Sequence, residues 1–303
     1  MKTQKVNDLL YLIDLEPAGF ENFIASYVIL GEKIAIIETG PTSTVNNLLN
    51  GLMEIGVNFE DVNLVAVSHI HLDHGGGAGT LMHHLPNAKL IVHPRGAPHL
   101  ANPEKLWAQS RQVLGKVAEL YGEPEPVSAE RIIQAADGMS VSLGKNIELE
   151  ILETLGHASH HFSYYEKSSK ILFPGDAAGI YLNQFDIIVP TTPPPFHLET
   201  TLSSIDKLIQ KGPNLLCYTH FGVATNAIEK LKRHATQLKL WAGVVAEGLK
   251  KDETVETISE TIRQKDSAVR AITDYVKTHP ILGRGVARQN VQGFVEYFLK
   301  QQK

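Results

Sequence analysis

Ser68-His69-Ile70-His71-Leu72-Asp73-His74, followed by Gly75-Gly76-Gly77, is the stretch on which the reading of this chain turns. Four side chains able to bind a metal fall between His69 and His74. Alternate side chains of an extended segment share a face, so His69 and His71 can meet one ion. Asp73 and His74 then stand where the chain turns and can face a second ion. The apolar run Leu64-Val65-Ala66-Val67 ahead of them reads as a buried strand, and the glycines after them as a tight turn into a helix. The spacing lacks the G-x-x-x-x-G-K of a phosphate loop. The stretch therefore predicts a metal site at the C-terminal end of a strand, with further ligands supplied from elsewhere.

The rest of the chain sets bounds on that site. Its 303 residues suit one large domain, or one domain with an appendage, and can bury a substantial core. A net charge of −5 argues against a nucleic-acid-binding surface. The single cysteine, Cys217, cannot form an intramolecular disulfide and reads as a small buried side chain in a reducing compartment. The N-terminal Met1-Lys2-Thr3-Gln4-Lys5 leads into no signal-type apolar segment, and no apolar run is long enough for a bilayer. A cytoplasmic enzyme acting on a small molecule, without nucleic acid or membrane as partner, is the expectation.

Strands are expected at 8–14, 23–30, 34–37 and 64–67, with a helix at 42–55 whose Leu48, Leu49, Leu52 and Ile55 share a face. A helix to about Leu85 follows the glycines, and Lys89 to His93 reads as a short strand. Residues 95–137 look like a helical insertion, with one helix from Pro103 to about Tyr121. At helical spacing, its Leu106, Val113, Leu114 and Val117 read as core. Strands resume at 139–143, 147–154, through Tyr164-Tyr165 and at 170–173. Prolines 190, 193, 194 and 195 stiffen a loop over 186–198 near the expected site mouth, where His197 is a candidate pocket residue. A helix at 202–209 and a strand at 214–218 follow. Residues 1–224 then form the catalytic domain and 225–303 a C-terminal helical region. The insertion and that region are candidates for a lid or a homodimer contact. Strands and helices alternating in two rounds suggest two sheets between helical layers.

Three later residues share the context of a turn after an apolar strand: His157, Asp176 and His220. With the first cluster this makes five histidines and two aspartates. Imidazole and carboxylate suit zinc, and also iron or manganese. Seven ligands are too many for one ion and suit two ions sharing a carboxylate.

His69-x-His71-x-Asp73-His74, then His157, Asp176 and His220, resembles the metallo-β-lactamase-fold hydrolase superfamily over roughly residues 8–222, with the helical C-terminus similar to its glyoxalase II and lactonase-like branch. The resemblance implies an αββα sandwich with the site at one edge of both sheets. It implies a first zinc ion on His69, His71 and His157, a second on Asp73, His74 and His220, and Asp176 bridging. It departs from the family at Glu38-Thr39-Gly40, where an aspartate is usual, so the partner of that acid is open.

Two cations sharing an oxygen lower the pKa of water, and Asp73 would orient the resulting nucleophile. Tyr181, five residues beyond Asp176, is a candidate oxyanion or leaving-group donor. An ester, thioester, lactone or phosphoester is the expected substrate. The alternative is a mononuclear iron oxygenase resembling the persulfide dioxygenases. His160 and His161 read as structural histidines, and Lys230, Lys232 and Arg233 as a weak anion-binding set.

Overall fold

Apolar alternation along the strands sorts the chain into layers. The computed structural model describes residues 2–144, 146–283 and 286–301. The first sheet runs β1 (Thr3–Lys5), β2 (Leu10–Asp14), β3 (Ala25–Leu30), β4 (Ile34–Ile37), β5 (Val62–Ala66), β6 (Lys89–Val92) and β7 (Ile132–Gln134) in spatial order. It is antiparallel through β4 and parallel from β4 to β7. The second sheet uses β8 (Ser140–Gly144), β9 (Ile147–Glu153), β10 (Phe162–Glu166), β11 (Ile171–Phe173), β14 (Leu215–Tyr218) and β15 (Gly222–Ala224). Between β11 and β14 lies a separate ribbon of β12 (Ile180–Leu182) and β13 (Ile187–Val189).

Residues one apart on a strand face opposite layers. Leu12, Tyr27, Ile37 and Leu64 of the first sheet meet Leu149, Ile151, Phe162 and Phe173 of the second. On the outer face of the first sheet, Ile13, Val28, Ile36 and Val65 pack on α1 (Val45–Glu54) and α2 (Ala78–His84). On the outer face of the second, Leu152, Leu172 and Leu216 pack on α6 (Leu198–Gln210) and α7 (Ala227–Lys250). Three cores between four layers make the expected αββα sandwich.

The C-terminal helices α8 (Val255–Lys265), α9 (Ser267–Ala271), α10 (Thr273–Thr278) and α11 (Val286–Gln301) extend the outer layer, and Ile258, Ile262 and Phe294 join its core. Asp266 fastens this region. Its Oδ1 accepts from the amides of Ala268 and Val269, and its Oδ2 accepts from Gln237 Nε2 and Trp241 Nε1 at 2.9 and 2.8 Å.

The insertion is not wholly helical. It contains α3 (Ala97–Ala101), α4 (Glu104–Leu114) and α5 (Lys116–Tyr121), then β7, which extends the first sheet. Gly115, at φ 55°, divides the expected single helix into α4 and α5. The expected loop at 186–198 begins with β13 of the ribbon, and β1 and β15 are short edge strands that carry too few residues to show a period.

Two buried phenols lock the sheets together where the metal-motif loops leave them. Tyr164 on β10 donates to Val67 O at 2.7 Å, one residue before Ser68. Tyr27 on β3 donates to Tyr218 O at 2.7 Å, two residues before His220. The amide of Phe162 bonds Ser68 O, and that of Ala25 bonds Thr219 O. Both sheets thus present their loops at one shared edge.

Candidate metal centre

The seven residues singled out by sequence come together at that edge. Donor atoms of His69, His71 and His157 lie within 4.8 Å of one another, as do those of His69, His74 and Asp176, and those of Asp73, His74 and His220. His69 Nε2 is 2.8 Å from His71 Nδ1, which is 3.1 Å from His157 Nε2. His220 Nε2 is 3.2 Å from His74 Nε2 and 3.5 Å from Asp73 Oδ2. Asp176 stands between the groups. Its Oδ1 lies 3.3 Å from His74 Nε2 and its Oδ2 lies 3.4 Å from His157 Nε2.

The far side of each ring decides what the near side can do. His157 Nδ1 lies 2.9 Å from Thr191 O, and His220 Nδ1 lies 3.0 Å from Phe23 O. A carbonyl only accepts, so each Nδ1 carries the proton and each Nε2 offers a lone pair to the cluster. His74 Nδ1 lies 3.1 Å from Glu38 Oε1, which turns its Nε2 inward in the same way. Nε2 of His74 and His220 therefore face each other with no proton required by their outer partners. Asp176 Oδ1 is buried and accepts no hydrogen bond. A cation among these atoms satisfies all of them at once, so the donor set fits a bound metal.

Electrostatics point the same way. Burial alone would depress His74, yet the carboxylates of Asp176, Glu38 and Asp73 outweigh it and hold the ring well above its usual pKa. Burial likewise opposes ionisation of Asp176, but His74 and His157 pull it well below the carboxylate range. The pocket is built to favour positive charge beside that carboxylate. His71, by contrast, is driven down to about 3 by burial and by His157, so it is neutral and ready to coordinate.

Glu38 answers the question left by its extra methylene. It is buried, and its carboxylate accepts from Ser68 N and Thr219 Oγ1 as well as facing His74. Its backbone is left-handed at φ 70°, which a non-glycine residue keeps only when its surroundings over-determine it. One side chain therefore ties the end of β4 to both metal-motif loops.

Behind Asp176 runs a buried relay with a forced direction. Asp176 N–H donates to His161 Nε2 at 3.1 Å, so His161 Nδ1 carries the proton and donates to Thr154 Oγ1 at 2.8 Å. Thr154 then donates to Ser163 Oγ, which donates to Pro174 O at 2.9 Å. The relay closes on the turn that carries Asp176.

Tyr181 is not brought to the cluster. Its backbone pairs with His220 and Phe221, but its hydroxyl donates to Asp186 Oδ1 at 2.8 Å and its ring stacks on Tyr218. Ile180, its neighbour on β12, lines the cavity instead, and alternation turns Tyr181 to the other face. The candidate donor role fails on that register. Lys230 and Arg233 also pair with Asp186, so neither is a free anion site. His197 is exposed and bonds Thr200, outside the cavity.

A cavity of about 560 Å³ opens over the cluster, reaching His71, Asp73, His157, Asp176 and His220. Leu106, Val113, Leu114 and Val117, expected as core, line it, joined by Ile281 and Leu282 of the C-terminal region. Two polar residues there go beyond the sequence reading: Tyr121, which it names only as a helix end, and His160, which it reads as structural. His160 has its Nδ1 buried without a partner, and burial pushes its pKa down to about 4. Tyr121, at the end of α5, is only 3% exposed, and burial with the charges of Asp73 and Asp176 raises its phenol well above 10. Apolar spacing gave no sign that α4 and α5 face a cavity.

Comparison with known proteins agrees with this geometry. A family model described as the Metallo-beta-lactamase superfamily matches residues 19–220. The metallo-beta-lactamase fold-containing protein ST1585 of Sulfurisphaera tokodaii is 27% identical over 235 residues, 76% of this chain and 84% of that protein. Its crystal structure superposes with a TM-score of 0.65 over 75% of this chain and 85% of that one. The probable metallo-hydrolase YqjP of Bacillus subtilis is 28% identical over 162 residues, 48% of this chain and 50% of that protein. The metallo-beta-lactamase family protein TTHA1429 of Thermus thermophilus shares the fold over 98% of this chain and 95% of its own, with a TM-score of 0.73 at 20% identity. The matched span contains His69, His71, Asp73, His74, His157, Asp176 and His220, and the chain belongs to the metallo-β-lactamase superfamily.

Proposed function

We propose that this chain is a hydrolase that uses two zinc ions to cleave an ester, thioester, lactone or phosphoester of a small molecule. One observation carries the reading: Asp176 turns one oxygen to His157 and the other to His74 and His220. That is the placement of a shared carboxylate. His69, His71 and His157 would hold one ion, and Asp73, His74 and His220 the other. When bound, such ions lower the pKa of water towards neutrality and polarise the oxygen under attack.

The chain's own groups supply the rest. Asp73 has 22% of its side chain exposed, against 6% for Asp176 and less for His74, His157 and His220, and it faces the cavity. His74 and His220 hold its carboxylate down at about 2 against burial, so it is ionised and can accept a hydrogen bond from the attacking water. Water adds its oxygen to the acyl or phosphoryl centre, Asp73 orients it, and the proton that water sheds passes to the departing oxygen or sulfur as its bond breaks. Glu38 and the carbonyls of Phe23 and Thr191 keep the imidazoles aimed.

Metal analysis coupled to a panel of chromogenic esters, lactones and phosphodiesters tests this. About two zinc ions per chain, with turnover lost to a chelator and restored by zinc, is the expected outcome. One iron per chain with oxygen uptake would replace it with the oxygenase reading, which leaves His74 without a metal to explain its aimed Nε2.

A further inference from the structure

The cavity wall and one hydroxyl narrow the substrate. Leu106, Val113, Leu114 and Val117 of the insertion, with Ile281 and Leu282, face the cavity with hydrocarbon. No lysine or arginine lines it among the described residues. The carboxylates that line it are those of Asp73 and Asp176, both at the cluster. Gln109, Ser110, Gln112 and Gln289 add neutral polar groups, so away from the cluster the wall suits hydrocarbon and offers an added anion no counter-charge.

Within that wall stands the Tyr121 phenol. Its side chain lines the cavity beside Asp73 and Asp176, and its hydroxyl has no hydrogen-bond partner among the described residues. Tyr27 and Tyr164 donate to carbonyls and the Tyr218 hydroxyl is buried without a partner, whereas the Tyr121 hydroxyl is left to the cavity. The residues after α5 hold Tyr121 in place from two sides. A Cβ on Gly122 would lie 3.4 Å from Ser43 N and Thr42 Cβ, in the loop that follows Glu38. Gly79, on the helix after the metal motif, leaves room for the Glu125 carbonyl, which a Cβ would overlap. The insertion is therefore docked on the same loops that carry the cluster, and Tyr121 lines the cavity within reach of the Asp73 and Asp176 charges.

We infer that the cavity takes a neutral ester or lactone with an apolar acyl chain, and that the Tyr121 hydroxyl donates a hydrogen bond to the substrate's acyl oxygen above the cluster. The hydroxyl keeps its proton throughout, so hydrolysis consumes only water and needs no redox partner. This rests on the hydrolase reading for its turnover, though not for its binding.

The test compares the full chain with Tyr121→Phe. Binding to the metal-free protein is measured by calorimetry with a neutral amide, N-propylhexanamide, and an anion of similar bulk, hexyl phosphate. Turnover by the zinc-loaded protein is measured on p-nitrophenyl esters from butanoate to octanoate, with metal content checked alongside. The amide is expected to bind about tenfold or more tighter than hexyl phosphate, and Tyr121→Phe to weaken it about fivefold. For the esters, kcat/KM should rise about threefold per added methylene, and Tyr121→Phe should cost about tenfold or more in kcat at unchanged metal content. Hexyl phosphate binding as tightly as the amide, or a Tyr121→Phe variant with wild-type amide affinity and kcat, overturns the inference while ester turnover keeps the hydrolase reading. Amide binding that depends on Tyr121, with no ester cleaved, overturns the hydrolase reading and keeps the pocket assignment.

Discussion

Glu38 Oε1 lies 3.1 Å from Nδ1 of His74, and both side chains are buried. This carboxylate sets the tautomer of a ring whose other nitrogen faces Asp176 and His220. Glu38→Gln keeps the reach and an accepting oxygen but removes the charge. Zinc affinity is expected to fall about tenfold to a hundredfold, with one ion lost before the other. Competition against a chromophoric chelator reads this directly; two ions held with unchanged affinity would show that Glu38 serves only the fold.

The charge state of His74 makes metal uptake depend on pH. In the metal-free chain its ring is protonated well above pH 6.5, whereas coordination needs the neutral form. Zinc binding therefore expels a proton. Affinity should climb as pH rises, by about tenfold per unit while one proton is released. Calorimetry in buffers of different ionisation enthalpy counts the proton; a buffer-independent heat would refute this.

His234 gives a second pH effect, behind the turn that carries Asp176. It is buried on α7 with its Nδ1 unpartnered, and burial lowers its pKa to about 4. An unfolded chain protonates this ring near 6.5, so its contribution is full above pH 6.5. It erodes as pH falls towards 4, by about 1.4 kcal/mol per pH unit. His234→Leu should flatten the slope of urea-unfolding stability against pH by that amount, and an unaltered slope would place the acid sensitivity elsewhere.

Gly79 offers a way to move Tyr121 without touching it. Gly79→Ala forces the Glu125 carbonyl away and should loosen the docking of the residues after α5. Ester turnover is expected to fall about tenfold, with metal content and the far-ultraviolet spectrum preserved. Loss of metal in this variant would mean that the helix after the motif, rather than the insertion, had shifted.

Asp266→Ala addresses the C-terminal helices. It leaves Gln237 Nε2 and Trp241 Nε1 buried without an acceptor and uncaps α9. A loss of about 3 kcal/mol is expected, read as a lower denaturation midpoint. A midpoint within a few tenths of a kcal/mol of wild type would show that the helix contacts alone secure this region.

The cluster was legible because its chemistry repeats a local pattern: His69, His157, Asp176 and His220 each follow an apolar strand, where a chain must turn. The layers were legible for a similar reason, since alternation on β2, β3 and β9 separates inner from outer faces. Tyr181 misled because β12 has three residues, too few to reveal which face is which, and a shift of one residue exchanges Ile180 for Tyr181. Tyr121 stayed hidden because an apolar helix face looks the same whether it meets a core or a cavity. Only the docking of α5 on the loop after β4 distinguishes the two. His160 stayed hidden because a turn after a strand shows no period from which its direction could be read.

The cage hangs on strand ends, while much of the cavity wall comes from α4, α5 and the segment around Ile281. Descendants of such a molecule can exchange wall residues one at a time while the charged cage stays intact. The architecture separates what makes a bond breakable from what decides which bond arrives, and so lets selection revise the second without risking the first.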